Sequence, residues 1–215
     1  MTDIDGPRLA PAGGGMATSL VVFLHGYGAD GNDLIDIGRY WAPLLPDTAF
    51  ASPHGPAPCD ESPAGRQWFP LSGMDPHRLR EGVLAAAPVV DRFIDAEMER
   101  TGVEASNVVL VGFSQGTMLA LHAAPRRPEP LAGVVGYSGL LPGPEHMAEV
   151  VSRPPVLLVH GADDPLVPPL ATQAAAEILK RDGFDVSAHI RPGLQHGVDE
   201  EGLRLGSAFV ARVLG

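Results

Sequence analysis

The feature that most constrains the fold is a set of short, unbroken apolar runs spaced along the chain: "SLVVFL" (19–24), "NVVLVGF" (107–113), "LAGVVGYSG" (131–139) and "PPVLLVHG" (154–161). A strand with one wet face alternates apolar and polar residues. A run that is apolar almost throughout fits a strand buried on both faces of a parallel sheet. Parallel strands need crossover connections, and the intervening segments read as helices. "NDLIDIGRYWAPLLP" (32–46) is one, with Asn32 its expected N-cap and Leu34, Ile35, Ile37 and Trp41 its apolar side. Residues 78–101 carry Val83, Ala86, Val90, Phe93, Ile94 and Met98 at helical spacing. Further helices are expected from Gln115, over 170–182 and over 199–213, and further strands over 48–53 and 185–193. This alternation predicts an α/β fold, a mostly parallel central sheet with helices on both faces. The chain has 215 residues and neither an internal repeat nor a dividing linker, so one domain over 1–215 is expected. Gly13–Gly15 reads as a turn between two short N-terminal strands.

Charge and cysteine content narrow the function classes. The formal net charge is −11, which argues against nucleic acid and anionic membrane surfaces, both of which need a basic footprint. The single cysteine, Cys59, cannot form an internal disulfide, and it lies in a Pro-rich loop without a basic neighbour, so it reads as incidental. The N-terminal "MTDIDGPRLAPAGGG" lacks the apolar core of a signal peptide, and no apolar run approaches the roughly 18 residues of a membrane span. A cytoplasmic location without membrane insertion is expected. Oligomeric state is open, a homodimer included.

Four motifs carry chemistry, and all fall where strands end. "GFSQG" places Ser114 between an expected strand and an expected helix, in the G-x-S-x-G pattern of a nucleophile elbow. A serine there projects above the sheet, over a helix N-terminus that favours developing negative charge. The bland alternative is a helix-capping serine. A serine nucleophile needs a base, and the base an orienting carboxylate, in the chain order Ser, Asp or Glu, His. "VLLVHG" runs into "ADDPLVP", and "IRPG" into "LQHG", so Asp164 and His196 both follow strand ends. Asp163 competes with Asp164, but Pro165 favours an extended backbone at Asp164. Of eight histidines, His54, His77 and His146 lie in loops, His122 in a helix and His189 in mid-strand. His25 and His160 end strands but come too early in the order or abut the acid turn, which leaves His196 as the expected base. In "HGYGADG", Gly26, Gly28 and Gly31 satisfy G-x-G-x-x-G, a dinucleotide fingerprint. A dinucleotide-binding oxidoreductase wants an acid at the end of the next strand, and "ASPHG" offers none. The preferred alternative is an oxyanion loop, where glycines let backbone N–H groups approach a substrate oxygen.

Taken together, "LHGYGADG", "GFSQG", "HGADDPLVP" and "QHG" resemble the phospholipase/carboxylesterase family of α/β-hydrolases, in order and over nearly the whole chain. The resemblance implies that Ser114 is the nucleophile, Asp164 the orienting acid and His196 the base, with the backbone N–H groups of Tyr27 and Gln115 forming the oxyanion hole. It also implies acyl transfer from a small-molecule ester through an acyl-enzyme, with neither metal nor organic cofactor. Tyr27 stands where many relatives have leucine. "RQWFPLSG" resembles the bacterial esterases more than the eukaryotic thioesterases, although thioesters and lysophospholipids stay open as substrates.

Only about fifteen residues separate the strand ending near Gly139 from that starting near Pro154, so no large cap domain is expected and the site should be open. The long segment 54–77 interrupts its polarity with Trp68, Phe69, Leu71 and Met74. These either contact the acyl chain or pin the segment to the core. An open apolar groove predicts short- to medium-chain acyl esters.

Overall fold

A computed structural model describes residues 3–62, 64–71 and 73–215. In chain order, β1 (Arg8–Leu9), β2 (Ser19–Leu24), α1 (Gly31–Trp41) and β3 (Thr48–Ala51) are followed by a small ribbon of β4 (Ala57–Pro58) and β5 (Arg66–Gln67). Then come α2 (Pro76–Thr101), β6 (Val108–Phe113), α3 (Gln115–Ala123), β7 (Gly133–Tyr137), β8 (Val156–Gly161), α4 (Pro169–Arg181), β9 (Val186–Arg191) and α5 (Glu200–Leu214). Seven strands form one sheet in the order β1-β3-β2-β6-β7-β8-β9. Every pairing is parallel except β1 with β3.

The sheet explains the unbroken runs. Leu20, Val22, Leu24, Val108, Leu110 and Leu158 point to one apolar layer, shared with α2, α3 and α4. Val21, Phe23, Val109, Val111, Leu157 and Val159 point to the other, shared with α1 and α5. With side chains alternating between faces, both layers need apolar residues, so β2, β6, β7 and β8 are apolar at nearly every position.

Three local expectations change. The N-cap of α1 is Asp30, not Asn32: its carboxylate accepts from the Asn32 N–H, and Asp33 accepts in turn from the Asp30 N–H, closing a capping box. Gly14 has φ 76 and sits in a turn, but the strand before it pairs with β3, not with the strand after it. The segment 54–77 is not wholly irregular, since β4 and β5 pair antiparallel within it.

Among the described residues, no helix is long and apolar enough to cross a membrane.

Candidate active site

The loops that leave the C-terminal ends of β2, β6, β7 and β8 gather along one rim of the sheet. Ser114 joins β6 directly to α3 with φ 52 and ψ −113, a backbone region L-residues seldom occupy. Its N–H donates to the Tyr137 carbonyl at 2.9 Å, and its carbonyl accepts from the Met118 N–H at 3.2 Å. The flanking glycines are required by close approach. A Cβ on Gly112 would lie 2.4 Å from the Gly116 carbonyl carbon, and one on Gly116 only 1.9 Å from the Leu24 carbonyl oxygen. The Ser114 side chain caps nothing in α3, so the capping alternative finds no support.

Past β8, the side chain of Asp164 is wholly buried, whereas Asp163 is exposed. Asp164 Oδ1 accepts from the N–H groups of Leu166 and Val167 at 2.8 and 3.0 Å. Asp164 Oδ2 lies 2.7 Å from His196 Nδ1. Burial alone would raise the pKa of this carboxyl. The Val167 N–H, the His196 ring and the Leu166 N–H outweigh it and hold the group below the usual carboxylate value, so it is ionised at neutral pH. The His196 ring is only partly covered and packs 5.1 Å, centroid to centroid, from the ring of Phe113, the residue before Ser114. Thus the structure joins Asp164 to His196 and sets Ser114 on the same rim. Among the described residues, no hydrogen bond links the Ser114 hydroxyl to His196.

Tyr27 follows β2 in a turn, and its N–H donates to no acceptor among the described residues. Gln115 opens α3, so its N–H has no intrahelical acceptor either. Desolvation and the neighbouring Cys59 thiol push the Tyr27 phenol up to about 12, so the ring stays neutral. The glycine motif is packed against protein: a Cβ on Gly26 would lie 2.9 Å from the Phe113 ring, and one on Gly31 would lie 2.0 Å from the Ser52 carbonyl. That leaves little of the open cradle a pyrophosphate needs.

The four apolar residues of 54–77 separate. Trp68 and Phe69 are both 3% exposed. The Trp68 indole donates to the His25 carbonyl at 2.9 Å, its N–H donates to Gln115 Oε1 at 3.0 Å, and Gln115 Nε2 donates to the Phe69 carbonyl at 2.7 Å. These two residues pin the segment to the rim, which favours the pinning alternative over substrate contact. Leu71 is partly buried against the same layer. Met74 is exposed and lines a groove of about 440 Å³ with Leu79, Leu140, Leu141 and Ile178.

Three further residues lie beside the pair: Ser138 and Thr172, which the sequence did not single out, and His160, which it set aside as a base. Ser138, with φ 49, donates its hydroxyl to the Gly197 carbonyl at 3.0 Å and so holds the loop that carries His196. His160 and Thr172 lie behind Asp164. Among the described residues, no group of three or more His, Cys, Asp and Glu side chains is placed to hold a metal ion.

A profile described as phospholipase/carboxylesterase matches residues 11–214. The chain belongs to the phospholipase/carboxylesterase family of α/β-hydrolases. It is similar to esterase YpfH of Escherichia coli, at 30% identity over 87% of this chain and 80% of that one. It is also similar to acyl-protein thioesterase 1 of Schizosaccharomyces pombe, at 30% identity over 92% of each. Among solved structures it resembles esterase PE8, with a TM-score of 0.95 and 41% identity over 99% of this chain and 100% of that one. The family assignment makes the protein a hydrolase of the esterase or thioesterase kind with the α/β-hydrolase fold.

Proposed function

We propose that the protein is a serine carboxylesterase that cleaves short- to medium-chain acyl esters through an acyl-enzyme. The observation that carries this reading is the 2.7 Å pair of Asp164 Oδ2 and His196 Nδ1 on the rim that bears Ser114 in its strained turn. Asp164 is ionised and has no rotational freedom left on Oδ1, so it fixes His196 with a proton on Nδ1 and a free Nε2. Nε2 takes the hydroxyl proton as Ser114 Oγ attacks the ester carbonyl. The uncommitted N–H groups of Tyr27 and Gln115 receive the oxyanion, each such donor being worth about 3–4 kcal/mol. The imidazolium then protonates the leaving alcohol, and water releases the acid with His196 again as base.

The groove of Met74, Leu140 and Leu141 supports acyl binding. It starts one residue past Gly139, where a Cβ would lie 3.0 Å from the Ser114 carbonyl. Burial there adds about 0.8 kcal/mol per methylene.

A fluorophosphonate probe should label the wild-type protein and leave Ser114→Ala unlabelled; equal labelling of the two removes the reading. Rates on p-nitrophenyl esters of increasing length, beside a palmitoyl thioester, fix the substrate class. We expect the highest kcat/KM on the shorter esters. A steep rise towards sixteen carbons, or a faster thioester, would move the assignment towards the activity named for the Schizosaccharomyces pombe relative.

A further inference from the structure

His160 is the penultimate residue of β8, four residues before Asp164, and has no exposed surface. Both of its ring nitrogens have fixed surroundings. Nε2 lies 2.9 Å from the Val167 carbonyl oxygen and 3.0 Å from Asp164 Oδ2. Both neighbours are acceptors. An unprotonated Nε2 would set its lone pair against theirs with no hydrogen between, so this nitrogen carries the proton. Thr172 Oγ1 lies 2.6 Å from Nδ1 and donates its proton to the Gly139 carbonyl at 3.1 Å.

The consequence falls on Asp164. Its Oδ1 is held by two backbone N–H groups, and its Oδ2 faces His196 on one side and His160 on the other. Val167 serves both neighbours, with its N–H on the carboxylate and its carbonyl on the His160 ring. Without His160, Oδ2 would have a single partner and an empty side towards which to tilt. We propose that His160 is a positioning residue for the reaction: its Nε2, hydrogen-bonded to the Val167 carbonyl and 3.0 Å from Oδ2, closes that side and keeps Oδ2 on the line to His196 Nδ1. Thr172 of α4 anchors the ring to Gly139, whose backbone abuts the Ser114 carbonyl. The alignment of the acid is thereby tied to the turn that carries the serine. This role rests on the serine-hydrolase reading given above.

The test compares His160→Phe, which keeps a flat ring but no N–H, with His160→Gln, which returns an N–H near the Nε2 position. Active sites are counted by fluorophosphonate titration, and kcat/KM on p-nitrophenyl acetate is expressed per titrated site. For His160→Phe we expect a loss of about tenfold, the scale of one close polar contact to a charged group. His160→Gln should regain most of it. A merely structural role would reduce the number of titratable sites and leave the rate per site alone. That result, or a glutamine variant no better than phenylalanine, overturns the proposal. If His160→Phe does not fold, NMR of the wild-type chain with ¹⁵N-labelled histidine decides. A protonated Nε2 on His160 is expected, and an unprotonated one refutes the contact. A wild-type protein that does not titrate at all would instead remove the serine-hydrolase reading, and the positioning role with it.

Discussion

Ser114 holds a conformation that favours glycine, with a side chain that glycine lacks. A residue at such φ and ψ costs about 1–3 kcal/mol and persists only where its surroundings fix it, here through the Tyr137 carbonyl and the Met118 N–H. Ser114→Gly should therefore melt higher than Ser114→Ala, which keeps the strained Cβ, by about 2–4 °C for each kcal/mol relieved in a chain of this size. Both variants lose the hydroxyl, so scanning calorimetry on the pair isolates the strain. A glycine variant that melts at or below the alanine variant would contradict it. Position 114 was legible because its turn uses neighbours in sequence, Gly112 and Gly116. Asp164 was legible through Pro165, and the structure buries it while exposing Asp163. Ser138 was not, because its partner, the Gly197 carbonyl, lies 59 residues away and nothing local marks the contact. His160 was weighed and set aside as a base because it comes too early in the order or abuts the acid turn, which says nothing about what lies behind the acid.

At the scale of elements, the central strands were legible because two apolar layers leave few polar positions in them. Helix ends were less so: the cap of α1 fell two residues earlier than periodicity suggests, since Asp30 and Asp33 bond each other's backbone. The segment between β3 and α2 was the least legible, because contacts with residues distant in sequence order it in place of any internal repeat. One such contact is Gly82 of α2, where a Cβ would lie 2.3 Å from the Phe69 ring. Gly82→Ala forces that ring out of its site. Overpacking of this kind costs about 1–3 kcal/mol. Phe69 is tied by its carbonyl to Gln115, so the disturbance should spread to Trp68 and the β4–β5 ribbon. We expect a lower urea midpoint and faster proteolytic cleavage within residues 57–67, with cleavage elsewhere unchanged. An alanine variant with wild-type cleavage would show that α2 does not hold this segment.

For the whole molecule, acid should act in two stages. His122 in α3 is almost fully buried, its Nδ1 has no hydrogen-bond partner among the described residues, and desolvation, with the charges of Arg126 and Arg80, lowers its pKa to about 4. Unfolding returns it to an ordinary value near 6.5, so across that interval the unfolded chain binds the extra proton and stability is lost as pH is lowered. His25 acts in the same direction: it is lowered by burial, and its Nε2 accepts from the Gly55 N–H. The carboxyls of Glu97, Glu149 and Asp164 are held below their ordinary values, so their contributions persist lower and are lost only below about pH 4. The net charge of −11 works the other way, since self-repulsion relaxes as pH falls towards the pI near 5.0. Comparison with His122→Leu cancels that background, because charge elsewhere is shared. The wild-type urea midpoint should drop more than that of the variant between pH 6.5 and 4, and the two should run parallel above pH 7. Parallel curves over the entire range would mean that His122 takes up its proton as readily when folded, and that burial does not govern the first stage.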